Sequence, residues 1–469
     1  MMGPDPQSAA ASPASKPGRA AALMPTRDCD VCIVGDDAAG LLLACDLAAR
    51  GQEVVLFPTP GETRALGLDA ALAPGFGLSA LDLIARVGQP DAAEIYALSV
   101  NAVRRGLLIA QEAGLSLGPK GRMAVARAHE AGRMAAEHAA RETLVSDSSV
   151  LLGAEDLHAL LGTPAFVSGL GLVPAHRLDA AAFRDALASA AGEGELTIMP
   201  RPTALAADVH GLRKYVTTPQ LKVRAFQVVF SGSEALARLA PELAPSLVPT
   251  PWVSGRFHVS GADVAYAGVV EEVGGTGLRW HWDKDRLAIA AETATRVRSR
   301  SGAARVLRRH GVAVAAGIRE ALAESSHGVT LAPTRRRMPL IQEGEKGVWY
   351  CVTLGGDELA HGILGADLIG RAILDRDDSI RLFSAFGLEP AGTKPVSRLS
   401  AIAGYWRRHV ADELPAGASP AGPAGEGPQA DAGAAPPPRG LGAVAAAFRG
   451  AVRAVARLAG GTGGQPPGP

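Results

Sequence analysis

Apolar residues near the start of the chain form two short unbroken runs that flank a longer stretch with helical spacing. The run Cys29–Val34 is typical of a buried strand, Ala38–Arg50 indicates a helix, and Glu53–Phe57 is a second apolar run. A glycine-containing turn separates the first strand from the helix. Together these segments predict a β-α-β unit, which is how many parallel α/β sheets begin.

The rest of the chain, as far as about Leu414, continues to mix helical and strand-like patterns. Further helices are expected at about Ala92–Glu112, Ala124–Glu142, Ala180–Ala191 and Ala360–Leu374. Further strands are expected at Leu196–Met199, Leu221–Phe230, Asp263–Glu272, Leu278–Ala290 and Gly347–Leu354. The strands around residues 263–290 suggest a second domain that is also built on a sheet.

The two ends of the sequence differ in composition from the body at 28–414. Residues 1–27 lack a long apolar run and are interpreted as a disordered leader, and 415–438 form an Ala-, Gly- and Pro-rich linker. Within the tail 415–469, residues 441–458 regain the spacing of a basic amphipathic helix. That helix would lie on a membrane surface or contact a partner, or else fold back weakly on its own chain.

Composition narrows the classes of function. The 469 residues carry 47 basic and 47 acidic side chains, so no global field attracts nucleic acid, and none is expected as a partner. No apolar stretch reaches the length of a transmembrane span. Four cysteines are too few for a disulfide framework in a chain of this length. We therefore expect a cytoplasmic protein.

Several segments occur in the order seen in one group of flavoproteins. They are CDVCIVGDDAAGLLLACDLAARGQEVVLF, LDAAAFRDALASAA, VRAFQVVFSGSEALARLAPEL and TRRRMPLIQEGEKGVWYCVTLGGDELAHGILGADLIGRAIL. Together they resemble the D-amino-acid-oxidase-like FAD-dependent oxidoreductases over nearly all of residues 28–414. The ending SRLSAIAGYWRRHVADEL is similar to the branch related to the γ-glutamylputrescine oxidases.

The resemblance implies an α/β fold in which a Rossmann-type FAD/NAD(P)-binding domain is interleaved with a smaller antiparallel-sheet α+β substrate domain. The first would comprise about 28–80, 150–250 and 325–375, and the second about 81–149 and 251–324, with a helical segment at 376–414. It also implies FAD as cofactor and oxidation of a C–N bond in a small amine or amino acid.

The turn after the first strand departs from the dinucleotide fingerprint Gly-x-Gly-x-x-Gly. Gly35 and Gly40 hold the first and third places, but Asp37 stands where the second glycine lets the backbone approach the pyrophosphate. A carboxylate there caps the helix and repels the diphosphate. The second strand ends in Phe57, where an acid normally holds the ribose. We interpret Asp37 as an internal replacement for the pyrophosphate; the alternative is a reshaped turn that still binds FAD.

The carboxyl-terminal half shows similar departures from the pattern that the resemblance implies. The element Asp-x-x-Pro-x-Ile-Gly is replaced by a segment that begins at Arg336 and ends at Gln342. The glycine turn expected under the flavin ring contains Gly355 and Gly356, followed by two acidic residues. These changes predict a flavin site that has lost contacts.

Two further polar groups are weak catalytic candidates. In the run LRWHW, Arg279 and His281 share one strand face and Trp280 and Trp282 share the other. The pair could hold an anion or act as a base, but ordinary sheet packing with a solvated Arg–His face is the favoured explanation. His361, near the last helix, is expected to be a capping or packing residue.

Two hypotheses follow. The first is an FAD-dependent amine or amino-acid oxidoreductase, which would take a small amine or amino acid as substrate. The second is a catalytically degenerate relative that has lost FAD binding and serves as a binding or scaffold module. Bound flavin after purification discriminates between them.

Overall fold

The computed structural model describes residues 24–60, 66–118, 120–190, 195–232, 236, 238–261, 264–274, 277–353, 358–389 and 403. By internal contacts the chain divides into a unit of Met1–Ala416 and a unit of Gly417–Pro469, and the second lies outside the described residues. The expected leader (apart from its last four residues), the tail helix 441–458 and nearly all of 390–414 also lie outside them. Those expectations stay predictions.

The described chain contains eight α-helices and seventeen strands. The helices are α1 (Ala38–Ala49), α2 (Ala80–Val87), α3 (Gln89–Glu112), α4 (Ala131–Leu144), α5 (Ala154–Leu161), α6 (Ala180–Ala190), α7 (Arg300–Gly311) and α8 (Glu358–Asp375). The strands are β1 (Thr26–Val34), β2 (Val54–Phe57), β3 (Ala70–Leu72), β4 (Lys120–Ala126), β5 (Ser149–Gly153), β6 (Ser168–Leu178), β7 (Leu196–Ile198), β8 (Ala206–Asp208), β9 (Lys214–Thr217), β10 (Lys222–Gly232), β11 (Thr250–His258), β12 (Val269–Glu272), β13 (Arg279–Asp283), β14 (Arg286–Glu292), β15 (Leu322–Leu331), β16 (Leu340–Glu343) and β17 (Val348–Val352).

The first sheet has five parallel strands in the order β17-β10-β1-β2-β7. Counted along the chain this is fifth-fourth-first-second-third, the strand order of dinucleotide-binding folds. Strand β16 is antiparallel at the β17 edge, and β9 and β8 extend β10 by antiparallel pairing. Because parallel strands end at the same edge, the turns after β1, β2, β7 and β10 meet there.

Helices α1 and α8 cover one face of this sheet. Leu42 and Leu43 of α1, with Ile363 and Ile369 of α8, belong to one buried cluster that includes Ile33 of β1. On the other face, a second cluster joins side chains of β1, β2, β10 and β17 to the segment around residues 236–247. The apolar runs of β1 and β2 are buried on both faces, as the sequence pattern predicted.

The second sheet has nine strands in the order β15-β11-β14-β13-β12-β4-β6-β3, with β5 also paired to β6. All of its pairs are antiparallel except β12 with β4. Helix α7 packs on it through Leu307, in a cluster that contains Phe257 and Ile289. The predicted fold class, a Rossmann-type domain combined with a second sheet-based domain, is confirmed.

Some predicted elements differ from the structure. The helix expected at Ala124–Glu142 begins only at Ala131, because residues up to Ala126 pair with β6 and β12 as strand β4. The strand expected at Leu278–Ala290 is a hairpin that turns at Lys284, whose φ is 57°. Alanine-rich segments suit either state locally, so tertiary pairing decided these cases.

The expected domain boundaries were not tested, but the two sheets use the chain differently from the expected ranges. Strand β3 and strands β5 and β6 belong to the second sheet, although they fall in ranges assigned to the Rossmann domain. Among the described residues, no helix is both long enough and apolar enough to cross a bilayer.

Candidate functional site

The turn between β1 and α1 lies at the carboxyl edge of the parallel sheet, beside the end of β10. Gly35 adopts a φ of 137°, and a Cβ at this position would lie 2.0 Å from the carbonyl oxygen of Ser231. Its N–H donates to the carbonyl of Phe57 (2.9 Å). At Gly40 an added Cβ would lie 2.2 Å from the Gly35 carbonyl oxygen. The first and third fingerprint glycines therefore keep the steric reason for their presence.

Asp37, which stands at the second fingerprint position, is the N-cap of α1. Its φ and ψ are −74° and 173°, and its Oδ1 accepts a hydrogen bond from the Gly40 N–H at 2.9 Å. The same oxygen accepts a second hydrogen bond from the Ser231 hydroxyl at 2.5 Å. The predicted cap is present, and the carboxylate occupies the Gly40 N–H, which a phosphate at the helix start would otherwise use.

Burial dominates the electrostatics of this carboxyl group. It raises the pKa of Asp37, while the hydrogen bonds from Ser231 and Gly40 oppose that shift and the nearby Asp36 carboxylate adds to it. Burial and the Asp37 charge also raise the pKa of the Cys351 thiol on the neighbouring β17. The Asp37 carboxyl is itself part-buried, so a second anion beside it would be costly.

Strand β2 ends in Phe57, at the position where dinucleotide-binding folds carry an acid for the ribose. The Phe57 side chain is 1% exposed and belongs to the buried cluster on the face of the sheet opposite α1 and α8. Close to it, Arg201 donates to the Thr59 carbonyl and to the Asp36 carboxylate, the latter at 2.5 Å. Arg184 approaches the same carboxylate at 3.8 Å. Arg201 therefore ties together the turns that follow β1, β2 and β7.

The two substitutions in the carboxyl-terminal element hold a neighbouring segment in place. Arg336 forms an ion pair with Glu389 (3.0 Å) and donates to the Ala385 carbonyl. Gln342 accepts a hydrogen bond from the Leu388 N–H at 3.0 Å. Both residues thus anchor the segment 385–389, which contains the end of the 3₁₀ helix Ser379–Phe386. Arg336 and Gln342, which depart from the flavoprotein pattern, therefore have a structural role.

The expected flavin-side turn containing Gly355 and Gly356 lies outside the described residues, so its role stays a prediction. His361, just after it in the chain, is 2% exposed on α8. Its Nε2 lies 3.0 Å from the carbonyl oxygen of Gly75, and its ring stacks on Phe76 with centroids 5.4 Å apart. The expectation that His361 is a packing residue is confirmed.

Arg279, one weak catalytic candidate, lies on β13 of the second sheet and already has protein partners. Its guanidinium pairs with the Glu271 carboxylate at 2.9 Å and lies over the Trp252 ring at 5.5 Å. Trp280, next in the chain, is buried and stacks on Phe166. These contacts match the sheet-packing alternative.

His281, the other weak candidate, is 3% exposed and faces N–H donors on both sides of its ring. Its Nε2 lies 3.3 Å from the Asp69 N–H, and its Nδ1 lies 3.1 Å from Arg177 Nη1. Burial lowers the pKa of His281 to about 4; the Asp69 carboxylate opposes this and the Arg177 charge adds to it. The ring is therefore neutral at pH 7 and buried, which is a poor arrangement for a base acting on a substrate.

No protein-family profile matches the sequence, and no curated protein sequence matches it. Solved structures do match. Glycine oxidase from Geobacillus kaustophilus superposes with a TM-score of 0.63 at 16% identity, covering 78% of this chain and 100% of that one. L-proline dehydrogenase from P. horikoshii superposes with a TM-score of 0.62 at 12% identity, covering 77% of this chain and 96% of that one. Iminodiacetate oxidase from Chelativorans sp. BNC1 superposes with a TM-score of 0.55 at 18% identity, covering 74% of this chain and 95% of that one.

The chain shares its fold with these two oxidases and this dehydrogenase. At these identities the likeness shows the fold alone and leaves substrate and activity undetermined. The expected branch of γ-glutamylputrescine oxidases stays a prediction, since nearly all of the residues that suggested it, 397–414, lie outside the described residues.

The described residues do not fit the FAD that this fold implies. The Gly40 N–H and the Ser231 hydroxyl, both at the helix start, are already bonded to the Asp37 carboxylate. Phe57 offers no acceptor for ribose hydroxyls. Arg201 crosses the edge at which the turns after β1, β2 and β7 meet, where such folds place the nucleotide. A flavin would have to displace these contacts.

Sequence reasoning found Asp37 and Phe57 but missed the residues that bind the carboxylates of Asp37 and its neighbour Asp36. Ser231 and Arg201 are 194 and 165 residues away along the chain from the carboxylates they contact. The available signal was that Ser231 follows a predicted strand, since the ends of parallel neighbours meet at one edge. Nothing in the local sequence of Arg201 points to Asp36.

Proposed function

We propose that this chain is a flavin-free member of the fold group that serves as a binding or scaffold module. The observation that carries the proposal is the Asp37 carboxylate, which caps α1 and takes the Ser231 hydroxyl at the position of the cofactor pyrophosphate. The retained glycines Gly35 and Gly40 then serve the turn and not a ligand.

The energetics favour the same conclusion. A like-charged phosphate at about 4 Å from the Asp37 carboxylate would cost roughly 4 kcal/mol near a protein surface. A diphosphate would also have to compete for the Gly40 N–H that the carboxylate caps. If Asp37 were protonated, the charge term would vanish, but its side chain would still occupy the space that a glycine leaves open. Both protonation states therefore oppose binding.

A second candidate is FAD-dependent oxidation of a C–N bond in a small amine or amino acid. The observation that favours it is the extent of the structural match, which covers 100% of glycine oxidase from Geobacillus kaustophilus. Under this hypothesis FAD displaces the Asp37 carboxylate from Gly40 and Ser231. The γ-glutamylputrescine-oxidase-like branch would then supply the substrate class.

The discriminating experiment is flavin binding by the full chain, purified without added cofactor and then incubated with FAD. Expected is a protein without visible absorption that does not quench FAD fluorescence. The variant Asp37→Gly with Phe57→Glu should bind FAD at least about tenfold more tightly than the parent, because each change restores one contact. Flavin bands in the parent that survive gel filtration would overturn the proposal.

Two further variants separate the causes. Asp37→Gly with Phe57→Leu opens the turn but supplies no ribose acceptor, so its gain should be smaller than that of the Glu-containing pair. Asp37→Ser keeps a side-chain cap without the charge, and so tests binding in a protein whose helix start is intact. If no variant that folds cooperatively binds FAD better than the parent, Asp37 is not the obstacle and the proposal loses its support.

A further inference from the structure

Helix α7, which packs on the second sheet, and the segments on either side of it are strongly basic. Between Thr293 and Arg319 the sequence has seven arginines and neither Asp nor Glu, although the whole chain is balanced at 47 charges of each sign. We call these residues the α7 arginine surface: Arg296, Arg298, Arg300, Arg305, Arg308, Arg309 and Arg319. All of them except Arg308 are exposed. The charge is therefore concentrated on one helix and its flanking segments.

Arginines elsewhere are mostly neutralised within the chain. Arg105, for example, pairs with Asp46 at 2.5 Å and with Asp367 at 2.9 Å. On the α7 arginine surface the pattern differs. Five of its members make no ion pair with any carboxylate in the described part of the chain: Arg296, Arg298, Arg300, Arg305 and Arg319. These five guanidinium groups carry positive charge that no carboxylate of the described residues neutralises.

Helix stability accounts for only part of this charge. Arg308 and Arg309 lie in the last turn of α7, where the helix dipole favours cations. Arg300 lies in the first turn, where the dipole disfavours a cation, and Arg305 has Arg308 and Arg309 as like-charged neighbours three and four residues away. The positions of Arg300 and Arg305 therefore bring the helix no benefit of their own, which is consistent with an anionic partner.

The surface includes a shaped depression. Arg308, Arg309 and Arg319 line it together with Val312, and its volume is about 310 Å³. The Arg308 guanidinium is held in place by a bond from its Nη2 to the Ala321 carbonyl at 3.0 Å. Guanidinium groups bind carboxylates through paired N–H donors, and a positioned one loses less entropy on binding. The depression is large enough to take carboxylate side chains.

We propose that the α7 arginine surface binds an acidic, Asp- and Glu-rich segment of a partner protein. A protein is favoured over a single-stranded nucleic acid because the stretch from Thr293 to Arg319 contains no Phe, Tyr or Trp on which a base could stack. The proposal holds whichever way flavin binding is decided.

The test measures binding of a fluorescent oligo-glutamate peptide to the full chain by anisotropy, over a range of salt concentrations. Expected is binding that weakens with salt and falls on the order of tenfold in the triple variant Arg305→Gln, Arg309→Gln, Arg319→Gln. A triple Lys variant at these positions keeps the charge but loses the paired donors, so it should bind between the two. No peptide binding by the parent would overturn the proposal.

A matched control removes the same charge elsewhere, with Arg104, Arg213 and Arg376 each changed to Gln. These residues are exposed and form no ion pair within the described residues, so the control should lose less than about twofold in affinity. An equal loss in the control would show that only net charge matters. Tighter binding of duplex DNA of equal charge, lost in the same triple variant, would assign the surface to nucleic acid and overturn the proposal.

Discussion

Replacing Asp37 by alanine removes one oxygen that accepts two hydrogen bonds. The Gly40 N–H at the start of α1 loses its cap, and the Ser231 hydroxyl, in a residue that is 1% exposed, loses its acceptor. Alanine cannot replace either bond. We therefore expect Asp37→Ala to lower the free energy of unfolding.

The magnitude combines two contributions of known size. Loss of an N-cap costs about 1 kcal/mol, and an unsatisfied buried hydroxyl costs about 1–3 kcal/mol. Removing a carboxylate that burial disfavours offsets part of this cost. The expected net loss is about 2–3 kcal/mol, measured as a shift of the urea midpoint at an unchanged slope.

Two matched variants isolate the causes. Ser299→Ala removes an exposed N-cap bond to the Gly302 N–H (3.1 Å) on α7, so it should cost only the capping contribution of about 1 kcal/mol. Asp37→Asn keeps the accepting oxygen and should stay within about 1 kcal/mol of the parent. Because burial raises the pKa of Asp37, the parent loses stability as pH rises through that value. The advantage of Asn over Asp should therefore grow from pH 4 upward.

The reasoning would be refuted by an Asp37→Ala protein as stable as the parent. It would also fail if Asp37→Asn were as damaging as Asp37→Ala, because the negative charge and not the hydrogen bonds would then hold the turn. An Asn-minus-Asp difference that stayed constant with pH would contradict the assigned direction of the pKa shift.

Three other outcomes are expected. Because the folded chain holds the His281 ring neutral, the parent should lose up to about 1.4 kcal/mol of stability per pH unit on acidification from pH 6.5 to about 4. His281→Gln should make this loss smaller. Parallel curves of urea midpoint against pH for the two proteins would contradict the prediction. Gly40→Ala should severely destabilise the protein, because the added Cβ would lie 2.2 Å from a carbonyl oxygen. Gly132→Ala in α4 has open space around it and should stabilise the protein by about 0.5–1 kcal/mol. Similar melting temperatures for the two variants would contradict this prediction. Arg336→Ala should speed amide exchange in 385–389, which its bonds to Glu389 and Ala385 hold, and unchanged exchange there would contradict that role.

Local pattern was enough to predict the β1-α1-β2 unit and the cap at Asp37. The apolar runs and the turn glycines are properties of a few consecutive residues, and the cap bond spans only three positions, from Asp37 to Gly40. Phe57 could be recognised as out of place for the same reason, because its distance from the turn is fixed by a helix and a strand of ordinary length. The order of the remaining family-like segments then sufficed to predict the fold class.

Prediction failed where two local states have similar energies. Residues 124–126 suit a helix or a strand, and only pairing with β6 and β12 makes them strand. The chain around Lys284 reads as one continuous strand, but it turns there because β13 and β14 must pair with each other. In both cases the deciding contacts come from residues distant in the sequence.

The sequence by itself determined that an acid stands where a dinucleotide needs glycine, and that this acid starts a helix. Only the tertiary structure decided what the acid does there. The strand order β2-β1-β10 brings Ser231 to within 2.5 Å of Asp37, and the turn after β7 brings Arg201 to Asp36. Contacts between residues more than 160 positions apart depend on how strands are ordered across the sheet, and no local periodicity encodes that order.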